Sequence, residues 1–96
     1  MNLDAKFVGE IRKVKDGSVV PPDEFVVFLA KDNAFAETIY YYRKRCVALG
    51  ADEEQIAAVD RMIARLNHWR AMNQHRLKVP DARGEKLADQ SLPSNP

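Results

Sequence analysis

A chain of 96 residues, with 15 Lys and Arg against 14 Asp and Glu and a formal net charge of +1, suits one domain with a small core and lacks the charge excess of a dedicated DNA coat. Charged residues at 30% and the hydrophobic set at 46% exclude a disordered composition. One cysteine excludes an intrachain disulfide and suits a reducing cytoplasm, the location expected here.

The opening "MNLDAKFVGE" carries acids and no apolar run, unlike a secretory signal. No apolar run approaches the ~20 residues of a membrane span, so no membrane partner is expected. From Phe7 the pattern is that of a weak strand with mixed faces: Phe7, Gly9 and Ile11 on one side, Val8, Glu10 and Arg12 on the other. Asp16 and Gly17 signal a turn, because glycine takes a positive φ without steric cost. Val19 and Val20 begin a returning strand, and Pro21 and Pro22 stop regular pairing. Residues 25–29, "FVVFL", form a short, partly β-branched run that suits a buried strand, although Pro22, Asp23 and Glu24 also fit a helical turn. In either form their side chains are expected in the core.

From residue 34 to 49, Phe35, Ile39, Tyr42, Cys46 and Leu49 recur at spacings of four and three, which places them on one helical face. Asp32 or Asn33 caps the start and Gly50 ends the helix. The pair Asp52 and Gln55 has capping-box spacing, and Ile56, Val59, Ile63, Leu66 and Trp69 or Arg70 repeat at helical intervals, with Met62 widening the stripe. The second helix should end between residues 72 and 75. So short a connection predicts an antiparallel helical hairpin. The expected fold is therefore α+β and mostly α: a helical hairpin packed with a short N-terminal β ribbon or strand. One domain is expected over 1–81, with a ribbon at 1–30, helices at 34–49 and 53–74, a docked or extended segment to about Asp81, and a mobile tail over 82–96. Two helical faces alone make a thin core, and a second protomer is one candidate to cover them.

Three tyrosines run directly into three cations at 40–45. Helical spacing wraps them around the first helix: Tyr42 on the apolar face, Tyr41 with Arg45 one step round, and Tyr40, Arg43 and Lys44 toward the other flank. That is not the shared stacking platform of a single-strand reader. Tyr42 is expected in the core, with Tyr40 and Tyr41 as borders. On the second helix Arg61, Arg65 and His68 form an exposed basic stripe, a modest phosphate-binding surface that Glu53, Glu54 and Asp60 dilute.

Chemical signatures are faint. Cys46 falls on the apolar face, where a thiol acts as a small hydrophobe. His68 and His75 stand two helical turns apart, too far to share a metal, and no HExxH is present. The adjacent carboxylates are explained by turns, caps and solvated faces, and the four glycines form no phosphate loop. No enzyme activity, cofactor or metal is expected. Trp69 either closes the far end of the core or anchors a partner, since aromatics and arginines are frequent interface hot spots.

The blocks "DGSVVPPDEFVVFLAKDNAF", "YYYRKRCVALGAD", Trp69 and "KVPD" resemble a type of small protein encoded in phages, prophages and bacterial genomes, for which no catalytic or ligand residues are established. The resemblance covers residues 16–81. It implies a short accessory gene product, cytoplasmic in a bacterial host and acting stoichiometrically, with inhibition of a host system as one version. The expected function is a non-enzymatic interaction protein that uses Tyr41, Arg45, Arg61, Arg65 and Trp69 toward a protein partner or a second copy. The alternative is a weak nucleic-acid-binding module using Arg43, Lys44, Arg45, Arg61, Arg65 and Arg70.

Overall fold

The structure is a computed structural model that describes residues 6–81. The tail expected over 82–96 and the first five residues of the expected ribbon lie outside the described residues. Those described fall into two compact units, one holding residues 6–27 with Asp81 and the other Phe28–Pro80. The composition is α+β and mostly α, a helical hairpin together with a short antiparallel β ribbon.

In the first unit, β1 (Ile11–Arg12) pairs antiparallel with β2 (Val19–Val20), Ile11 opposite Val20 and Arg12 opposite Val19. The turn between them closes as the sequence indicates. Gly17 takes φ 74°, and its N–H donates to the Lys13 carbonyl at 2.8 Å. Asp16 Oδ1 accepts from both the Ser18 N–H (2.9 Å) and the Ser18 hydroxyl (2.7 Å), which holds its carboxyl below the usual carboxylate range. Arg12 adds a bond to the Gly17 carbonyl at 2.8 Å. The strand expected from Phe7 is confined to two residues. Its mixed faces offer no apolar side to bury, and Val8 and Val14 stand in solvent.

The run 25–29 is neither strand nor helix. A 3-10 turn at Pro22–Glu24 delivers Phe25 in extended geometry (φ −140°, ψ 159°), but no strand among the described residues pairs with it. Phe25, Val27 and Leu29 are half-buried while Val26 and Phe28 are exposed, so the expected core placement fails for half of the run. The unit boundary also falls inside it, between Val27 and Phe28.

The second unit is the helical hairpin. Helix α1 (Asn33–Ala48) starts at Asp32, whose side chain accepts from the Phe35 N–H at 2.9 Å. It ends in a Schellman motif: Gly50 takes φ 81°, its N–H donates to the Val47 carbonyl, and the Ala51 N–H donates to that of Cys46. Helix α2 (Glu53–Met72) follows at once, with Asp52 accepting from the Gln55 N–H at 2.8 Å and Glu53 and Glu54 in the first turn, where the helix dipole favours anions. Among the described residues, Ile39 and Cys46 of α1 and Val59 and Leu66 of α2 are the buried apolar side chains, and Val59 is completely enclosed.

The core is thin, and this corrects two expectations. A single neighbouring helix covers only the row through Ala36, Ile39, Arg43 and Cys46 on α1, whereas the apolar stripe is wider. Tyr42 and Leu49, expected in the core, are 49% and 75% exposed. On α2 the row Ile56, Val59, Ile63, Leu66 and Arg70 turns inward, and Met62 is left 44% exposed.

The hairpin is closed at its open end. After α2 a 3-10 turn at Gln74–Arg76 returns the chain so that the Lys78 N–H donates to the Lys31 carbonyl and the Asn33 N–H to the Lys78 carbonyl, each at 3.0 Å. The Arg70 guanidinium reaches the same place, donating to the Ala30 carbonyl (2.9 Å) and to Asn33 Oδ1 (2.7 Å). Of the segment expected to be docked or extended to about Asp81, Lys78 is docked by these two bonds. No helix among the described residues is long and apolar enough to cross a membrane.

Candidate interaction surface

Two antiparallel helices expose two flanks beside their shared seam, and here the flanks differ in chemistry. At about 100° per residue, Tyr40, Arg43, Lys44 and Val47 fall on one flank of α1, beside Asp60 and Asn67 of α2. Arg43 binds both oxygens of the Asp60 carboxylate, and Asn67 Nδ2 donates to the Tyr40 hydroxyl at 2.7 Å. The Asp60 bond raises the Arg43 pKa, and the same bond draws the Asp60 carboxyl below its ordinary range. A shallow open hollow lies here, lined by Tyr40, Arg43, Lys44, Val47 and Ala48. This flank is bolted across the seam by polar pairs, while the hollow itself presents mostly apolar surface.

The opposite flank is apolar. Phe35, Tyr42 and Leu49 follow one another at seven-residue intervals on α1, and Gln55, Met62 and Trp69 do the same on α2. Seven residues make nearly two helical turns, so each trio forms a row along its helix. A long 3.5 Å contact from Gln55 Nε2 to the Tyr42 hydroxyl marks the two rows as neighbours. The Phe28 ring stacks on Phe35 with centroids 5.0 Å apart and planes 2° from parallel. The Arg76 guanidinium lies 5.2 Å from the centre of the Trp69 ring, a cation–π arrangement. Cys46, one turn beyond Tyr42, raises the phenol pKa by hydrogen bonding and by its charge, with partial desolvation adding to the rise.

The five residues expected to make contact do not form one patch. Trp69 is half-buried in the apolar flank, where it sits under Arg76. Arg45 and Arg65 are exposed on the two outer rims of that flank, one on each helix. Tyr41 and Arg61 are exposed on the sides of α1 and α2 turned away from the seam, so they look in opposite directions. His68 lies on the same outer side of α2 as Arg61. Among the six cations of the nucleic-acid alternative, Arg43 is held by Asp60 and Arg70 by Ala30 and Asn33. The side chains of Lys44, Arg45, Arg61 and Arg65 make no hydrogen bond or ion pair among the described residues.

Sequence reasoning missed three members of this surface. Tyr42, Leu49 and Met62 read as core because helical periodicity places them on the apolar stripe, whose outer part α2 or α1 alone does not cover. The seven-residue recurrence in both helices was the available signal. Among the described residues, no group of three or more His, Cys, Asp or Glu is placed to hold a metal. Comparison of the chain with protein-family models, curated proteins and solved structures gave no match.

Proposed function

We propose that this chain is a non-enzymatic accessory protein that works by occupying the surface of a protein partner, in the phage or prophage setting that its resemblance implies, with a host factor in the bacterial cytoplasm as its target. The observation that carries this reading is the apolar flank of the hairpin. Tyr42, Leu49 and Met62 are about half exposed or more on one side of a hairpin whose buried apolar core, among the described residues, is four side chains. Contiguous exposed apolar surface rimmed by polar groups is characteristic of protein contact sites.

The nucleic-acid reading is favoured by one observation, the exposed run of Arg61, Arg65 and His68 at spacings of four and three. Capture from host and infected-host lysate, with and without nuclease, separates the two. A discrete protein that survives nuclease and is lost with Met62→Glu supports the interaction reading. Nucleic acid alone, lost with Arg61→Ala plus Arg65→Ala, overturns it. Salt adds a second readout, because phosphate-driven binding weakens steeply as salt rises.

A further inference from the structure

We infer that the apolar groove between α1 and α2 receives one amphipathic α-helix of a protein partner, with acidic residues bordering its apolar stripe. This rests on the interaction reading above and specifies the partner's chemistry.

The floor supplies the first half of the argument. Phe35, Tyr42 and Leu49 run antiparallel to Gln55, Met62 and Trp69, both trios at seven-residue spacing. A third helix laid between them meets side chains at the period its own a and d positions present. Half-exposed Tyr42 and Met62 in mid-groove and Trp69 toward one end give it large, adaptable side chains to bury.

The rims supply the second half. Arg45 borders the groove on α1 and Arg65 borders it on α2, and neither guanidinium is hydrogen-bonded or ion-paired among the described residues. Arg76 adds a third cation over Trp69. Among the hairpin's exposed acids, Asp60 is tied to Arg43 on the other flank, Glu37 and Glu53 also turn to that side, and Asp52 caps α2, while Glu54 shares the row of Arg65 about three turns away, at the start of α2. Cations on both rims with an apolar floor match a helix whose stripe is edged by Glu or Asp. A second copy of the chain is a poor fit, because stacking two such faces sets cationic rim against cationic rim.

The test is a selection on the immobilised full chain. The probe is a library of helical peptides with leucine fixed at i, i+3, i+4 and i+7 and with glutamate and lysine equally mixed at the border positions. Selection should return glutamate at both borders. The selected peptide, followed by fluorescence anisotropy, should bind at least about tenfold more weakly to the Arg45→Glu plus Arg65→Glu variant. The lysine-bordered version should instead prefer that variant, and Met62→Glu should abolish binding with the helical circular dichroism unchanged. No binder, lysine enrichment, or indifference to the arginine reversals overturns the proposal. So does a homodimer in sedimentation that Met62→Glu dissolves, since the groove would then belong to a second copy. A lysate partner still captured by Met62→Glu would sink the groove while leaving the broader interaction reading intact.

Discussion

Arg70, late in α2, donates to Asn33, the first residue of α1, at 2.7 Å, and with its second nitrogen to the carbonyl of Ala30. One planar guanidinium thereby fixes the loop that enters the hairpin against the helix that leaves it. Hydrogen bonds to charged groups are each worth about 1.5–3 kcal/mol. Arg70→Ala should lower stability by about 2 kcal/mol in urea unfolding, and Arg70→Lys should recover little, because a point charge does not reproduce the fork.

Gly50 makes a cleaner backbone test. It sits at φ 81°, and a Cβ added there meets nothing within 4 Å, so a side chain brings strain without a clash. Gly50→Ala should cost about 1 kcal/mol, and Gly50→Asn less, because asparagine tolerates the left-handed region. Thermal unfolding of the two variants side by side would measure the difference.

The Arg43 and Asp60 pair should show in a pH titration. Asp60 is held below the ordinary carboxylate range by Arg43, so its folded pKa is lower than its unfolded one. The pair's contribution is therefore complete above the unfolded pKa and is lost as pH falls through the folded value. In a carboxyl NMR titration, Arg43→Gln should move Asp60 upward toward its ordinary value. Added salt should shrink the difference, because both groups are exposed.

Truncation in the seam should separate buried from exposed apolar positions. Leu66→Ala should cost about 2–5 kcal/mol, enough to threaten a domain with so small a core. Leu49→Ala, at a position 75% exposed, should stay within about 0.5 kcal/mol of the parent. Equal losses at the two positions would show that Leu49 is covered in the free protein.

Both helices were legible in the sequence because their punctuation is local. Asp32, Gly50 and Asp52 act within one turn of their own positions and each does what its residue type predicts, whereas Gln55 completes only half of the capping box, its N–H donating to Asp52 while its side chain turns to Tyr42. The turn at Asp16 and Gly17 was legible for the same reason. The run 25–29 was not, because whether an extended segment becomes a strand depends on a partner elsewhere in the chain. Tyr42 and Leu49 were misplaced for a related reason: periodicity reports the width of an apolar stripe, not how many neighbours cover it. The cross-seam pairs, Arg43 with Asp60 and Tyr40 with Asn67, depend on the register of the hairpin, which single-helix patterns do not carry. For the proposed contact surface, residue types pointed equally to Tyr41, Arg45, Arg61, Arg65 and Trp69, and only the packed seam separates the flank of Arg45, Arg65 and Trp69 from the sides that carry Tyr41 and Arg61.

The parallel bridge between Asp32 and Lys78 has a consequence for modularity. Because it ties together the strands of chain that enter and leave, the hairpin behaves as a cassette with both leads at one end. Cut beside the bridge and spliced into a tight surface loop of an unrelated scaffold, it would ask that loop to open by only the width of two paired segments, about 5 Å. Its two flanks would then stand clear of the host, free to be assayed one at a time.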